Sequence, residues 1–158
     1  MKVLNEGNKA PFFTLKGSAD SKISLKDVKN AFVVLFFYPK DNTPGCSIEA
    51  HDFSKNLANF KKRDAVVFGI SGGSQESKDK FCDKKGLKLI LLADEDFSVS
   101  EKYNSYGTKK FMGMTFKGVF RKTFILDKDK KIIKIFDKVK PLGHAKEVLE
   151  VIDEYGRN

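Results

Sequence analysis

The junction at 31–49, AFVVLFFYPKDNTPGCSIE, constrains this chain more than any other feature: an unbroken apolar run enters a Pro- and Gly-punctuated loop that ends in a cysteine. The run AFVVLFFY, 31–38, is β-branched and aromatic without alternation, the pattern of a strand buried on both faces of a sheet. Beyond the loop, Cys46, Ala50, Phe53, Leu57 and Phe60 recur at steps of four, three, four and three. That spacing predicts one stripe of an amphipathic helix, with Cys46 in the first turn on the inward face.

A strand of this kind needs cover above and below, and the remaining chain supplies it. Phe12–Leu15 reads as a short extended piece, and Ser24 as the N-cap of a single turn through Val28. Ala65–Ile70 is a second buried strand. The turn Gly72–Ser74 follows, where Ser74 caps a helix that Gly86 ends, with Cys82 near its last turn. Leu89–Leu92 reads as a strand, and Asp94 as the cap of a helix running to about Tyr106. Val119–Leu126 and Lys131–Val139 form a hairpin around DKDKK. A last helix carries Ala145, Val148, Leu149, Ile152 and Tyr155 on one face. This order, βαβαβα and then ββα, implies an α/β chain with the thioredoxin-like fold, a central mixed β-sheet flanked by helices on both faces. At 158 residues, one domain over 1–158 is expected, with no linker.

The net charge of +9 raises the question of nucleic acid, but of the 30 basic residues only Arg63, Arg121 and Arg157 are arginines. The lysines are spread along the chain and read as a solvated face, so no nucleic-acid partner is expected. The apolar run at 31–38 is too short to span a bilayer, and MKVLNEGNKAPFF carries no apolar stretch behind a basic start. No membrane association is expected, and the cytoplasm is the expected location. The two cysteines, Cys46 and Cys82, form no CxxC and argue against a disulfide framework. With His51 and His144 they supply too few soft ligands for a metal site, and both histidines read as surface or capping residues. The turn at Gly72–Ser74 lacks phosphate-loop spacing and reads as a plain turn.

Chemistry concentrates at 38–49. The segment lies between a buried strand and a helix start, where open α/β sheets place their ligand sites. A helix start offers unpaired N–H groups and the positive end of the macrodipole, both favourable to a negative sulfur. Pro39 and Pro44 stiffen the loop, Thr43 offers a hydroxyl three residues before the cysteine, and Gly45 allows close backbone approach. Such a pocket suits a substrate with two linked oxygens.

The spacing Pro39, Thr43, Cys46 resembles the peroxiredoxin pattern, and YPKDNTPGCSIEA resembles its bacterioferritin-comigratory, or PrxQ, branch. KKFMGMTFKGVFRKTFILDKD, 109–129, is similar to that branch's segment around its active-site arginine, and GNKAPFFTL to its opening. The resemblance implies a thiol-dependent peroxidase reducing hydrogen peroxide and organic hydroperoxides. Cys46 would be the peroxidatic cysteine, passing through a sulfenic acid. Arg121 and Thr43 would orient the peroxide, Pro39 would shield the sulfur, and Glu49 would hold the arginine from behind. It further implies a monomer that needs no cofactor.

One departure matters. Many members of this branch carry a second cysteine five residues after the first, where this chain has His51. Others place a resolving cysteine where Cys82 stands, which implies a Cys46–Cys82 disulfide, recycled by thioredoxin or a similar dithiol protein. Two cysteines near different helix ends would need local unwinding to meet. Other readings stay open. Cys46 could be an inert buried thiol, Thr43 an ordinary loop residue or cap, and Arg121 an ion-pair partner within a strand. Cys82 could be a packing residue, leaving a one-cysteine peroxidase resolved by an external thiol. A non-enzymatic redox sensor switched by Cys46 oxidation is the reading from a different class. A general thiol–disulfide oxidoreductase is disfavoured without a CxxC. Phe111, Met112, Met114 and Phe116 read as a mobile apolar loop over the site or as core packing.

Overall fold

The computed structural model describes residues 3–157. Its central sheet has five strands in the order β5-β4-β3-β8-β9, where β3 is Phe32–Phe37, β4 Ala65–Ser71, β5 Ile90–Ala93, β8 Lys122–Leu126 and β9 Ile132–Phe136. β3 pairs in parallel with β4, and β4 with β5, while β8 runs antiparallel to both β3 and β9. The sheet is therefore mixed, as expected, with the apolar run at its centre. Alternate side chains of β3 feed two separate cores. Val34, Phe36 and Tyr38 face one with Cys46, Ala50, Phe53, Phe60, Phe81 and Val148. Val33, Leu35 and Phe37 face the other with Leu25, Val99, Tyr103 and Phe124.

Four helices cover the first face: α1 (Pro44–Lys55), α2 (Leu57–Lys62), α3 (Gln75–Lys85) and α5 (His144–Gly156). The other is covered by α4 (Ser98–Lys102), the N-terminal segment and the hairpin of β1 (Thr14–Lys16) and β2 (Lys22–Ser24). Among the described residues no helix is long and apolar enough to cross a membrane. The ends of α3 follow the sequence signals closely. Ser74 Oγ accepts from the Ser77 amide at 3.0 Å, and Gly86 closes the helix in the left-handed region at φ 63°.

Several expected elements are cut shorter. The stripe from Cys46 to Phe60 spans two helices rather than one, because Asn56 Nδ2 donates to the Asp52 carbonyl at 2.8 Å. The Asn56 amide bonds the Phe53 carbonyl instead, breaking the i to i−4 ladder for one residue. The helix expected from Asp94 to Tyr106 is only α4. Asp94 still anchors it, accepting from the Val99 and Ser100 amides. Asn104, at φ 57°, turns the chain away before Tyr106.

The segment expected as one strand, Val119–Leu126, divides at Phe120 and Arg121, and Lys131–Val139 contracts to β9. β6 (Tyr106–Phe111) and β7 (Met114–Val119) form a two-stranded ribbon with Met112 and Gly113 at its tip. Phe111, Met114 and Phe116 are exposed on its strands and Met112 in its turn, so the segment is a ribbon rather than a loop and the four are not core packing. Tyr155 also stands out from the buried stripe of α5, half-exposed against Phe32.

Phe53 is the keystone of the helix face. It is fully buried, and its ring stacks on Phe36 at 4.6 Å and meets Phe60 and His144. Phe53→Ala is expected to lower the unfolding free energy by about 3–5 kcal/mol, measured by denaturant titration of the reduced protein.

Candidate active site

The loop 39–43 leaves the C-terminal end of β3 and delivers the chain to α1. Thr43 is the N-cap and Pro44 the first helical residue, a position that needs no amide hydrogen. Cys46 is the third helical residue, 1% exposed and turned into the core as the stripe predicts. Its amide belongs to a first turn that has no intrahelical acceptors.

Arg121 reaches this sulfur from the other half of the sheet. The antiparallel register sets Phe37 opposite Lys122, so Arg121, in the link between β7 and β8, falls just beyond the end of β3. The link is pinned by the Phe120 amide, which donates to the Ser105 carbonyl. Arg121 is thus not a strand residue, contrary to expectation. Its Nη2 lies 3.4 Å from Cys46 Sγ, and its Nη1 donates to Glu49 Oε1 at 2.6 Å. Gly45 makes room for this: a Cβ there would stand 3.2 Å from Arg121 Nη2.

Glu49 lies one helical turn from Cys46 and is fully buried. One oxygen holds Arg121, and Oε2 has no hydrogen-bond partner among the described residues. Burial disfavours the carboxylate more than Arg121 supports it, with Asp52 adding repulsion, and the group is pushed up to about 7. Arg121 behaves oppositely. Burial works against its charge, but the facing Cys46 and Glu49 outweigh that and push it above its ordinary value. The guanidinium therefore stays cationic, and Glu49 is the member of the pair that titrates.

Cys46, Glu49 and Arg121 are thus brought into direct contact. Thr43 and Pro39 flank them, both half-buried on the loop, and the Thr43 hydroxyl donates to the Lys40 carbonyl at 3.1 Å. Cys82 is on α3, half-buried, its Sγ facing the Leu89 carbonyl at 3.7 Å. Both cysteines are free thiols. Desolvation, with the nearby Asp79, Asp41 and Asp83 adding repulsion, pushes the Cys82 thiol up, against a hydrogen bond from Ser18.

Several buried or partly buried polar residues carried no sequence signal. Lys78, counted with the solvated lysines, is fully buried and pairs with Asp41 Oδ2 at 2.9 Å. Lys130 is buried too, donating to the Val28 carbonyl. Lys109 approaches from the ribbon and donates to the Val119 carbonyl. Burial and the like charge of Arg121 push its ammonium down, and Cys46 acts in the other direction. His51 is exposed as expected, but His144 is not a surface residue. It is fully buried between Phe53 and Phe136, with Nε2 on Thr123 Oγ1 at 2.8 Å and Nδ1 on Glu147 at 3.1 Å. Beside it, Asp52 accepts from the Ala145 amide at 2.9 Å, so α1 caps the start of α5.

Comparison with known proteins agrees with this arrangement. Residues 7–135 match the AhpC/TSA family. The chain is 40% identical to the peroxiredoxin Bcp of Bacillus subtilis over 148 residues, covering 94% of each protein. A cysteine-to-serine variant of Xylella fastidiosa PrxQ superposes with a TM-score of 0.91 at 32% identity, covering 99% of both chains. The bacterioferritin comigratory protein of Xanthomonas campestris, studied for alkyl peroxide reduction, superposes at 0.85 with 31% identity, over 90% of this chain and 91% of that one. With its sheet order, its cysteine at the head of α1 and this similarity along nearly its whole length, the chain belongs to the AhpC/TSA family and, within it, to the Bcp/PrxQ peroxiredoxins, which are thiol peroxidases.

Proposed function

We propose that the chain reduces hydrogen peroxide and organic hydroperoxides with Cys46 as the peroxidatic cysteine. The contact of Arg121 Nη2 with the Cys46 sulfur carries the reading. The sulfur is buried at a helix start with the guanidinium against it, and in its thiolate form it is the nucleophile. It attacks the terminal peroxide oxygen, the O–O bond breaks, and Cys46 becomes a sulfenic acid. The leaving alkoxide or hydroxide takes up a proton to form alcohol or water. Arg121 offsets charge developing on the departing oxygen, while the Thr43 hydroxyl and the Cys46 amide orient the peroxide. Pro39 restricts water on the loop side, and Glu49 holds the guanidinium in place.

Organic hydroperoxides are included because exposed apolar side chains occur on α1 and in the segment that meets its first turn. Ile48 and Leu142 are exposed, and neighbouring Pro141 approaches Gly45. The alkyl peroxide activity named for the Xanthomonas relative points the same way.

Cys82 is the proposed resolving cysteine. Its thiolate would displace hydroxide from the sulfenic sulfur, forming the Cys46–Cys82 disulfide and, after protonation, water. Structures of the Xanthomonas relative exist with each of two cysteines replaced by serine, and those two stand as far apart in sequence as Cys46 and Cys82. The helices α1 and α3 follow adjacent parallel strands and begin at the same end of the sheet, yet Cys82 is about 10 Å along α3 from Gln75. A disulfide needs Cα atoms about 4.4–6.8 Å apart, so α3, the first turn of α1, or both must open. Burial meanwhile keeps Cys82 protonated, and therefore inert, until that happens. Thioredoxin or a similar dithiol protein would return both thiols. The enzyme is read as a cytoplasmic monomer.

Cys46→Ser is expected to abolish peroxide consumption. Arg121→Lys should lower kcat/KM by about 100-fold, because a point ammonium cannot serve Glu49 and the sulfur together. Stopped-flow peroxide kinetics check both, and full activity in Cys46→Ser would refute the reading. Cys82→Ser should stop turnover with thioredoxin but keep it with small thiols. If peptide mapping of the oxidised wild type showed no Cys46–Cys82 crosslink, the resolving role would be wrong.

Glu49 gives a pH signature. Its folded value, about 7, exceeds its ordinary 4.5, so the folded protein binds more protons between them and loses stability as pH rises through that window. Glu49→Gln should therefore gain on wild type from pH 5 to pH 8, by up to about 3 kcal/mol, in denaturant titrations run across that range.

A further inference from the structure

The loop that presents Cys46 is fastened to the helix that carries Cys82 by one buried polar cluster. Asp41 sits in that loop, and Lys78 lies one helical turn before Cys82 on α3. Lys78 Nζ donates to Asp41 Oδ2 at 2.9 Å, to Ser71 Oγ at 2.7 Å and to the Gly72 carbonyl. Ser77 Oγ donates to the same Asp41 oxygen at 2.6 Å, and the Tyr38 hydroxyl donates to Asp41 Oδ1 at 2.7 Å. The Lys78 side chain is 0% exposed and that of Asp41 8%. The ammonium also lies 5.6 Å from the centre of the Tyr38 ring. The cluster thus draws on four parts of the fold: the end of β3, the end of β4, the loop and α3.

The rest of α3 is weakly held. Of its eleven residues only Lys78 and Phe81 are buried. Its other ties to the body are Cys82, half-buried against the core with its sulfur on the Leu89 carbonyl, and Asp79, which accepts from the Ala19 amide at an exposed position. A helix with so little apolar burial belongs to the low end of the local stability range. Its hold on the sheet depends mainly on Phe81 and on an ion pair that stays favourable only while both charges meet. Opening α3 around Cys82 separates them.

We propose that the Asp41–Lys78 pair is a latch that sets how fast Cys82 reaches the Cys46 sulfenic acid, and so how the oxidised enzyme divides between disulfide and over-oxidation. This rests on Cys82 being the resolving cysteine. With the latch closed, Cys46 is oxidised normally but Cys82 is held away. A second hydroperoxide can then convert the sulfenic to the sulfinic acid, itself becoming alcohol or water. With the latch open, Cys82 displaces hydroxide first, and the disulfide protects the sulfur. Asp41 and Lys78 are positioning residues; neither touches Cys46 or Arg121.

The test compares wild type with Lys78→Met and with the double variant Asp41→Asn/Lys78→Met, which leaves no unpaired buried charge should the single variant fold poorly. Leu149→Ala, a core truncation on α5, controls for loss of global stability. Each reduced protein receives one equivalent of hydrogen peroxide, is acid-quenched over time and is weighed intact. Hydrogen exchange of the α3 amides is measured in parallel. Both latch variants should exchange α3 amides and form the crosslink about tenfold faster, and need about tenfold more peroxide for half-conversion to the sulfinic acid. Their first oxidation step should stay within about threefold of wild type, because the Arg121–Glu49 contact is intact. The latch is refuted if crosslinking is unchanged in both variants, or if Leu149→Ala accelerates it equally. If wild type forms no crosslink at all, the resolving role of Cys82 fails first and the latch fails with it.

Discussion

A guanidinium suspended between a buried carboxylate and a buried sulfur organises this protein. Arg121 comes from the β7–β8 link, whereas Glu49 and Cys46 come from α1, so the contact joins the antiparallel half of the sheet to the parallel half. Its geometry depends on the register that sets Lys122 against Phe37. A slip of one residue would turn the side chains of β8 to the opposite faces and separate the three groups. The absence of a side chain at Gly45 and the hard turn into α1 at Pro44 follow from the same requirement, since the head of the helix must meet the arginine closely.

The arrangement is electrically costly, and the cost is placed where it can act. Glu49 is fully buried with one oxygen unpartnered, so its charge is disfavoured near neutrality although it anchors a cation. Arg121 also meets the sulfur, at 3.4 Å, and is attracted to it. On the neighbouring helix the same principle takes another form. Asp41 and Lys78 are satisfied by each other together with Tyr38, Ser71, Gly72 and Ser77, and they hold a helix that buries little else. One buried pair positions the chemistry, and the other restrains the step that follows.

The central sheet was legible because its strands are continuous apolar runs and its turns carry strong markers. Ser74 and Gly86 bound α3 where expected. Cys46 fell on the inward face of α1 because helical periodicity reports directly on burial. What escaped were effects of single polar side chains on the backbone. Asn56 captures a carbonyl and divides a helix, and Asn104 ends another early. The β6–β7 ribbon escaped because its apolar residues are exposed, so they report no core. Buried polar residues escaped for a related reason. Lys78 and His144 look like surface residues in sequence, and only partners distant along the chain, Asp41 and Thr123, make their burial tolerable. The Cys46–Arg121 contact itself was suggested by family resemblance, not by spacing.

The central claim is that oxygen from the peroxide goes to Cys46. The most direct test uses Cys82→Ser, in which a sulfenic acid cannot pass into an internal disulfide. The reduced variant is treated with one equivalent of hydrogen peroxide in the presence of a 1,3-diketone that labels sulfenic acids, then digested and mapped by mass. The account predicts the label on Cys46, with a yield that tracks the peroxide consumed and falls sharply when Arg121 is also replaced by alanine. Peroxide consumed without label on Cys46 would contradict it.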